Sequence, residues 1–264
     1  MTAIASADAP VAFVTGAARG IGLAVTRRFL KQGWRVALLD IDGETLHTTA
    51  RAMDAPDRVL AFTADVAVEP QVEQAVAGTV RAFGRIDALV NNAGTAVFKP
   101  ILETRSAEWQ RVIDVNLTGP FLCTQACARV MLEGGRGGAV VNIASISGLR
   151  ASTLRTAYGT SKAALIHLTR QQAAELGDVG IRVNCIAPGP VETAMAKQVH
   201  SQAIRDGYRD SIPLARYGTE DEIASGVWFL CSPEAGYVNG QTLAVDGGFD
   251  ATGIGLPALR AERR

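Results

Sequence analysis

Tyr158 and Lys162 place a phenol and an ammonium four residues apart. Residues at this separation lie on one face of a helix, so a helical segment would bring the two groups together. A phenol has a reference pKa of about 10, and a nearby cation favours the phenolate and lowers that value. Tyr158 could therefore exchange a proton with a hydroxyl or carbonyl substrate. On its own, the pattern also fits a surface helix whose tyrosine and lysine never meet.

A glycine-rich segment near the N-terminus suggests a second chemical element. The apolar run Val11–Val14 predicts a strand, and an amphipathic helix pattern that ends at Gly33 follows the glycines. Glycines permit a sharp turn, and the free N–H groups of a helix N-terminus favour an anion. The spacing is G-x-x-x-G-x-G, which shares the mechanism of the common dinucleotide fingerprint but not its spacing. The segment predicts a phosphate cradle formed by Gly16, Arg19, Gly20, Ile21 and Gly22.

A second predicted strand, Arg35–Asp40, ends in an acid a little over twenty residues after the glycines. A carboxylate at this place accepts hydrogen bonds from ribose hydroxyls and repels a 2′-phosphate, which favours NAD over NADP. Arg19 favours the opposite choice, because a guanidinium can pair with a 2′-phosphate. Asp40 carries more weight, since a carboxylate facing a phosphate is costly. We therefore predict that the cofactor is NAD, with NADP as the alternative. Asp42 is predicted to be a loop residue.

With these motifs in order, the chain resembles the short-chain dehydrogenase/reductase family over nearly its whole length. The glycine motif of the family matches Gly16, Gly20 and Gly22. Its other motifs match Asp65 and Val66, the segment Asn91-Asn92-Ala93-Gly94, Asn116, Ser145 thirteen residues before Tyr158, Lys162, and the loop with Pro188, Gly189, Val191 and Thr193. Each motif is weak alone, and together they are specific. The resemblance implies that these residues form a cofactor and active site.

The resemblance also implies a role for each catalytic residue. Ser145 would hydrogen-bond the substrate oxygen, and Tyr158 would carry the proton. Lys162 would lower the pKa of the tyrosine and hold the nicotinamide ribose. Asn116 would hold a water that connects Lys162 to solvent; without the family context, an asparagine that bonds helix backbone is an equal interpretation. Ser147 is a rival for the serine role, but it is two residues too close to the tyrosine and is interpreted as a turn residue.

Composition predicts the fold class. With 264 residues, 48% of them hydrophobic and 20% charged, the chain can bury a large core within one α/β domain, residues 1–264. Apolar runs alternate with longer helical patterns, which predicts a single doubly wound Rossmann-type sheet of about seven parallel strands with helices on both faces. Besides Val11–Val14 and Arg35–Asp40, the runs are Val59–Phe62, Ile86–Val90, Val140–Ala144, Ile181–Ala187 and Leu243–Val245.

Charge and residue usage exclude several partner classes. Twenty-six basic and twenty-six acidic residues cancel, so no electrostatic footprint for nucleic acid or an anionic membrane is expected. No apolar run approaches the roughly 20 residues that span a bilayer, and no targeting segment is recognisable, which predicts a cytoplasmic protein. The four cysteines and three histidines lack ligand spacing, so no metal site is predicted and the cysteines are expected in the core.

The flanking segments carry further expectations. Residues 190–213 are expected to form a substrate lid, with Met195, Val199, His200 and Tyr208 over the pocket. Arg150 and Arg155 flank the site and would either bind an anionic or polyhydroxylated substrate or stay solvated on a loop.

Assembly and the chain ends are interpreted from the resemblance and from apolar content. The apolar helical stretches Trp109–Met131 and Thr156–Leu176 resemble helices that pair family members into homodimers or homotetramers. Residues 1–10 are predicted to form an N-terminal tail. Residues 249–264 read as an extension in which the segment from Gly253 to Pro257 packs on a neighbouring subunit.

The predicted function is hydride transfer between NAD(H) and a secondary alcohol or ketone. A sugar, polyol or similar small hydroxy compound is the first choice of substrate. The alternative is a 3-oxoacyl thioester reductase of the acyl-carrier-protein type that uses NADPH, which Asp40 disfavours. A different class is a dinucleotide-binding sensor without turnover. Such a sensor would need the glycines and Asp40, but it would not need Ser145, Tyr158 and Lys162 at catalytic spacing.

Overall fold

A computed structural model describes residues 8–193, 196, 199–253 and 257. A single sheet of seven parallel strands forms its centre, in the order β3-β2-β1-β4-β5-β6-β7. The strands are β1 (Val11–Thr15), β2 (Arg35–Asp40), β3 (Val59–Thr63), β4 (Ala88–Asn91), β5 (Gly138–Ile143), β6 (Ile181–Pro188) and β7 (Thr242–Val245). Each predicted strand is present, so the predicted doubly wound architecture is confirmed.

Helices cover both faces of the sheet. They are α1 (Gly20–Lys31), α2 (Gly43–Ala52), α3 (Glu69–Phe83), α4 (Ser106–Ile113), α5 (Gly119–Gly134), α6 (Thr156–Leu176), α7 (Gln202–Ser211) and α8 (Glu220–Cys231), with short 3₁₀ turns at Ile101–Glu103, Ile146–Gly148 and Pro233–Ala235. Helix α1 ends as predicted, because Gly33 adopts φ +84°, a left-handed conformation that terminates a helix without a side-chain penalty. No helix among the described residues is long and apolar enough to cross a membrane.

The core lies in two layers because strand side chains alternate between the faces of the sheet. Ala12 and Val14 point into a layer that includes Phe29 of α1 and Val227 of α8. Phe13 points into the opposite layer, which α3 and α5 cover. Strands buried on both faces explain why their sequences are continuous apolar runs. Burying a side chain such as Phe13 completely contributes roughly 1.5–3 kcal/mol.

The order of the strands determines where a site can form. The chain runs outward from β1 through β2 to β3 and then returns to place β4 on the other side of β1. This reversal opens a crevice at the carboxyl ends of β1 and β4, the usual ligand site in such sheets. Thr15, Asp40, Asn91 and Pro188 each end a strand at this edge.

The apolar stretch Trp109–Met131 is helical but not one regular helix. Residues Asp114–Thr118 form a π-helical turn between α4 and α5, in which the Gly119 N–H donates to the carbonyl of Asp114. Pro120 has no N–H to donate to the carbonyl of Asn116 four residues earlier, so the regular pattern cannot continue through this point. Such single turns occur often at functional sites.

Candidate active site

Two glycines of the N-terminal loop are required by close backbone contacts. Gly16 adopts φ +63°, and a Cβ there would lie 2.8 Å from the Cα of Ala93. A Cβ on Gly22 would lie 2.2 Å from the carbonyl oxygen of Gly16. Helix α1 then begins without a side-chain cap from Arg19 and without an acid in its first turn. The free N–H groups of this helix therefore face the crevice uncovered.

Thr15 and Asn92 brace the loop against β4. Asn92 Nδ2 donates to the carbonyls of Thr15 and Gly16 at 3.0 and 2.9 Å. Thr15 Oγ1 accepts from the backbone N–H groups of Asn92 and Ala93, each at 3.0 Å. Thr15 was not among the predicted site residues, although its place directly before the first glycine was the available signal.

Asp40 and Asp42 play different roles beside this loop. The Asp40 carboxylate accepts from the backbone N–H groups of Ala18 and Asp42, each at 3.0 Å. Asp42 lies in the loop between β2 and α2, as expected, and as the N-cap of α2 it accepts from Thr45 N at 3.1 Å. Asp42 also forms an ion pair with Arg19. The charge of Arg19 is thus already matched within the protein.

Asp65 and Val66 follow β3 at the same edge. Asp65 accepts from Ala67 N at 3.0 Å and pairs with Arg111 of α4 at 2.9 Å. Val66 is buried against Gly119, where a Cβ would lie 2.8 Å from Val66 Cγ2. Arg111 is a second residue that sequence reasoning missed, since nothing in its local pattern marks it.

Ser145, Tyr158 and Lys162 converge on one pocket. Ser145 follows β5, and its Oγ accepts from Ser147 N at 3.1 Å and hydrogen-bonds the Tyr158 phenol. Ser147 lies in a 3₁₀ turn, as its interpretation as a turn residue predicts. Lys162 is buried, and its Nζ lies 5.7 Å from the centroid of the Tyr158 ring. The predicted side-by-side arrangement on helix α6 is confirmed.

Burial governs the protonation of this pair. Burial raises the pKa of the Tyr158 phenol, and the hydrogen bond from Ser145 and the charge of Arg155 oppose that rise. Burial lowers the pKa of Lys162 to about 8. In the free protein the Lys162 ammonium donates to the carbonyl of Ile143 at 2.7 Å, and its effect on the tyrosine pKa stays a prediction for the enzyme with its cofactor bound.

Asn116 lies in the π-helical turn and is fully buried. Its Nδ2 donates to the Thr95 carbonyl at 2.9 Å and to Ser161 Oγ at 3.0 Å. Its Oδ1 accepts from Thr95 N at 2.8 Å. A Cβ on Gly94 would lie 3.4 Å from Asn116 Oδ1 and 3.5 Å from Lys162 Nζ. Asn116 and Lys162 therefore flank Gly94 at the base of the pocket.

The pocket is a cavity of about 340 Å³ whose lining includes Gly20 of the glycine loop together with Ser145, Tyr158 and Lys162. Pro188, Gly189, Val191 and Thr193 line one wall, and Asn92 and Gly94 line another. The lining also includes Phe98, Arg155, Val199, His200 and Tyr208, which we call the substrate end. His200 Nδ1 lies 3.0 Å from the hydroxyl of Tyr217, which ties this wall to the loop before α8. Met195, expected in the lid, lies outside the described residues.

Comparison with known proteins identifies relatives of this chain. A family model described as Enoyl-(Acyl carrier protein) reductase matches residues 16–250. The 2-(R)-hydroxypropyl-CoM dehydrogenase of Xanthobacter autotrophicus is 42% identical over 248 residues, which cover 91% of this chain and 98% of that protein. The chain belongs to the short-chain dehydrogenase/reductase family.

Two further relatives of this family support the assignment. The 3-oxoacyl-[acyl-carrier-protein] reductase FabG of Thermotoga maritima is 37% identical over 242 residues, which cover 91% of this chain and 98% of that protein. The crystal structure of levodione reductase superimposes with a TM-score of 0.87 at 38% identity, covering 92% of this chain and 98% of that one. The protein is therefore an oxidoreductase that acts on CH–OH groups with a nicotinamide dinucleotide.

The described residues of this short-chain dehydrogenase/reductase fit such a cofactor. The uncapped N-terminus of α1 suits a pyrophosphate, and side chains larger than glycine would close the loop that leads to it. Asp40 stands at the end of β2, where a ribose is expected. Among the described residues, no cluster of histidine, cysteine and acidic side chains is arranged to hold a metal, and the four cysteines are buried.

Arg150 and Arg155, expected to flank the site together, have separate positions. Arg150 is outside the pocket lining and donates from Nε to Asp250 at 3.0 Å and from a terminal nitrogen to the Thr252 carbonyl at 2.9 Å. It thereby anchors the start of the C-terminal segment 249–264. Most of that segment, including the greater part of Gly253 to Pro257, lies outside the described residues, as do residues 1–7 of the N-terminal tail. Arg155 lines the pocket.

Proposed function

We propose that the protein interconverts a small secondary alcohol and its ketone with NAD(H), using Tyr158 as the proton donor and acceptor. In reduction, Tyr158 donates its hydroxyl proton to the substrate oxygen, which Ser145 also hydrogen-bonds. The bound nicotinamide supplies or accepts the hydride. The observation that carries this proposal is the convergence of Ser145, Tyr158 and Lys162 on the pocket that begins at the glycine loop.

Lys162 and Asn116 assist the proton transfer in this proposal. Lys162 has a pKa of about 8 in the free protein, so near neutral pH it can hold a proton and release it. Asn116 fixes the neighbouring loop through its side-chain hydrogen bonds to Thr95. Its backbone carbonyl receives no hydrogen bond from residue 120, because Pro120 has no N–H. A water bonded there would connect Lys162 to solvent.

The proposed cofactor contacts follow the edge of the sheet. They are Gly16, Arg19, Gly20, Ile21, Gly22, Asp40, Asp65, Val66, Asn92, Ala93, Gly94, Tyr158, Lys162, Pro188, Gly189, Val191 and Thr193. We propose NAD rather than NADP because Asp40 presents a carboxylate and the opposing charge of Arg19 is held by Asp42. A 2′-phosphate would have to break that ion pair to gain the arginine.

Two substrate classes remain to be separated. A sugar, polyol or similar small hydroxy compound suits the limited cavity of about 340 Å³, which must also accept the nicotinamide. A 3-oxoacyl thioester is the second candidate, favoured by the similarity to FabG. Its long acyl carrier would have to pass the wall formed by Val199, His200 and Tyr208.

The protein's setting is part of the proposal. We propose a cytoplasmic homodimer or homotetramer in which residues 190–213 act as the lid. Exposed Phe121 and Leu132 on α5 lie in a groove of about 310 Å³ between α5 and α6, which supports pairing through these helices. Light scattering coupled to gel filtration measures the oligomer mass.

The direct test is an absorbance assay of nicotinamide reduction and oxidation. Purified protein is incubated with NAD and NADP separately against sugars, polyols, hydroxy acids and steroid alcohols, and in reverse with 3-oxoacyl thioesters. Turnover of an alcohol with NAD is expected. Activity confined to NADPH and thioesters would favour the second candidate, and binding of a dinucleotide without any turnover would favour a sensor.

A further inference from the structure

Arg155 is a cation in the substrate end of the pocket and forms no ion pair with an acidic side chain among the described residues. Its guanidinium carbon lies 5.1 Å from the centroid of the Phe98 ring, and its Nη1 donates to Ser147 Oγ at 3.4 Å. None of the ion pairs found among the described residues includes Arg155. A half-buried guanidinium that bonds only a hydroxyl and an aromatic face has most of its donors available.

The position of Arg155 in the helix makes a cation there unfavourable unless an anion joins it. Arg155 is the N-cap of α6, a helix of 21 residues, and its side chain provides no cap. The first turn of α6 contains no acidic residue. Helix N-termini carry a partial positive charge that repels cations and attracts anions. The partial positive charge of the helix N-terminus and the positive charge of the guanidinium therefore add at this place.

The rest of the lining does not neutralise this charge. The described residues around the pocket include no aspartate or glutamate, and their charged members are Arg19, Arg155 and Lys162. Arg19 is paired with Asp42, and Lys162 donates to the Ile143 carbonyl. Among the described residues that line the pocket, Arg155 is thus the cation that remains for a ligand at the substrate end.

Arg155, Tyr158 and His200 line the same pocket, where burial is the largest influence on the pKa of Tyr158 and of His200. The charge of Arg155 acts to lower the pKa of Tyr158 and that of His200 across the pocket. Arg155 and Tyr158 are three residues apart in the sequence and line the same cavity of about 340 Å³. One small molecule can therefore reach both side chains.

We propose that Arg155 binds an anionic group of the substrate, such as a carboxylate, a few bonds from the carbon whose oxygen meets Tyr158. The substrate class is then an anionic ketone or its secondary alcohol. This inference rests on the proposed function, since it names the substrate of the same site. Arg155 selects the substrate by charge, while Ser145 and Tyr158 act on its oxygen.

The test uses pairs of ketones with the same shape and different charge. Acetoacetate is compared with methyl isobutyl ketone, and levulinate with methyl isoamyl ketone, since an isopropyl group replaces the carboxylate in each pair. The wild type, Arg155→Gln and Arg155→Lys are assayed with saturating NADH and, separately, with NADPH. Arg150→Gln is the matched control, because Arg150 is an arginine five residues away that lies outside the pocket lining.

We expect the wild type to prefer the anionic member of at least one pair in kcat/KM by more than tenfold. Arg155→Gln should lower this preference by about 10- to 100-fold, the usual effect of one charge-assisted hydrogen bond. Arg155→Lys should keep part of the preference, and Arg150→Gln should keep all of it. Equal use of both members by the wild type, or an unchanged preference in Arg155→Gln, would overturn the proposal.

A binding measurement separates this proposal from the proposed function. Calorimetric titration of levulinate and acetoacetate into protein saturated with NAD needs no turnover. If no ketone is reduced but an anion binds the wild type and not Arg155→Gln, the proposed function fails and the anion site stands. If neutral ketones are reduced while neither anion binds or reacts, the proposed function stands and the anion site fails.

Discussion

The two ends of the pocket are built in different ways. At the cofactor end, backbone meets backbone: the glycine loop lies against Ala93, and Thr15 and Asn92 fix it with hydrogen bonds of 2.9–3.0 Å. At the substrate end, side chains from separate segments meet. Phe98 and Val199 there are 42% and 46% exposed, so this wall is only partly packed.

The two ends should therefore tolerate substitutions to different degrees. A loop held by backbone contacts cannot accept even a methyl group without moving β1 or β4, and its function is tied to the stability of the fold. A wall of half-exposed side chains can change its chemistry at little cost to folding. The chemistry at the cofactor end can therefore stay the same while the substrate specificity at the other end changes.

The largest effect is expected from Gly16→Ala. The new Cβ would meet the Ala93 backbone at 2.8 Å in a left-handed conformation, so we expect a loss of roughly 3 kcal/mol in the free energy of unfolding and at least 100-fold in cofactor affinity. Gly33→Ala is the control: its φ is +84° but no atom lies within 4 Å of the new Cβ, so only about 1 kcal/mol should be lost. Equal losses in urea unfolding would contradict the contact argument.

The next largest effect is a pH dependence of the free energy of unfolding, which arises from Lys162. Its pKa is about 8 in the folded protein and 10.5 as the reference for the unfolded chain. Between these values the unfolded chain binds the extra proton, so stability gains with rising pH, by up to about 3 kcal/mol across the window. Urea unfolding of wild type and Lys162→Met from pH 7 to 10 isolates this gain as the difference between them. A difference that stays flat would mean that Lys162 is not desolvated.

A smaller effect is expected at the ribose end of the cofactor site. Asp40→Asn removes the charge and keeps the shape, so the ratio of NADP to NAD affinity should rise by about tenfold. Asp57→Asn, which removes an exposed acid away from the pocket lining, should leave the ratio unchanged. Fluorescence titration with each reduced cofactor gives both affinities. An unchanged ratio in Asp40→Asn would remove the basis for preferring NAD.

The smallest effect is expected at the substrate wall. Tyr217→Phe removes the hydroxyl that lies 3.0 Å from His200 Nδ1, which should raise KM about fivefold and leave the unfolding free energy within about 1 kcal/mol. Tyr237→Phe is the control, since Tyr237 is fully exposed. Steady-state kinetics and thermal unfolding measure both variants. A large loss of stability in Tyr217→Phe would show that the substrate wall is part of the core.

The sequence was informative where function depends on local spacing. The glycine motif, Asp40 at the end of a buried strand, and Tyr158 and Lys162 one turn apart are all short-range patterns, and helix α6 begins and ends where its pattern predicts. These features are readable because the backbone geometry of one loop or one helix determines them.

Other features depend on contacts between distant segments. Arg19 and Asp42 form an ion pair although helix α1 and strand β2 lie between them in the sequence, and Arg150 contacts Asp250 one hundred residues further along the chain. In the free protein, burial, a property of the whole fold, raises the pKa of Tyr158 and outweighs the opposing hydrogen bond from Ser145 and the charge of Arg155. The π-helical turn at Asn116 had a local signal in Pro120, which removes one hydrogen-bond donor.

The most direct test of the account compares turnover and cofactor affinity in Tyr158→Phe, with Tyr208→Phe as a second phenol removed from the same pocket. If Tyr158 carries the proton, Tyr158→Phe should lower kcat by about 10²–10⁴-fold and leave the dissociation constant of NAD within threefold, while Tyr208→Phe lowers kcat less than tenfold. Turnover that survives in Tyr158→Phe would contradict the assignment, and so would a loss of NAD affinity as large as the loss of kcat.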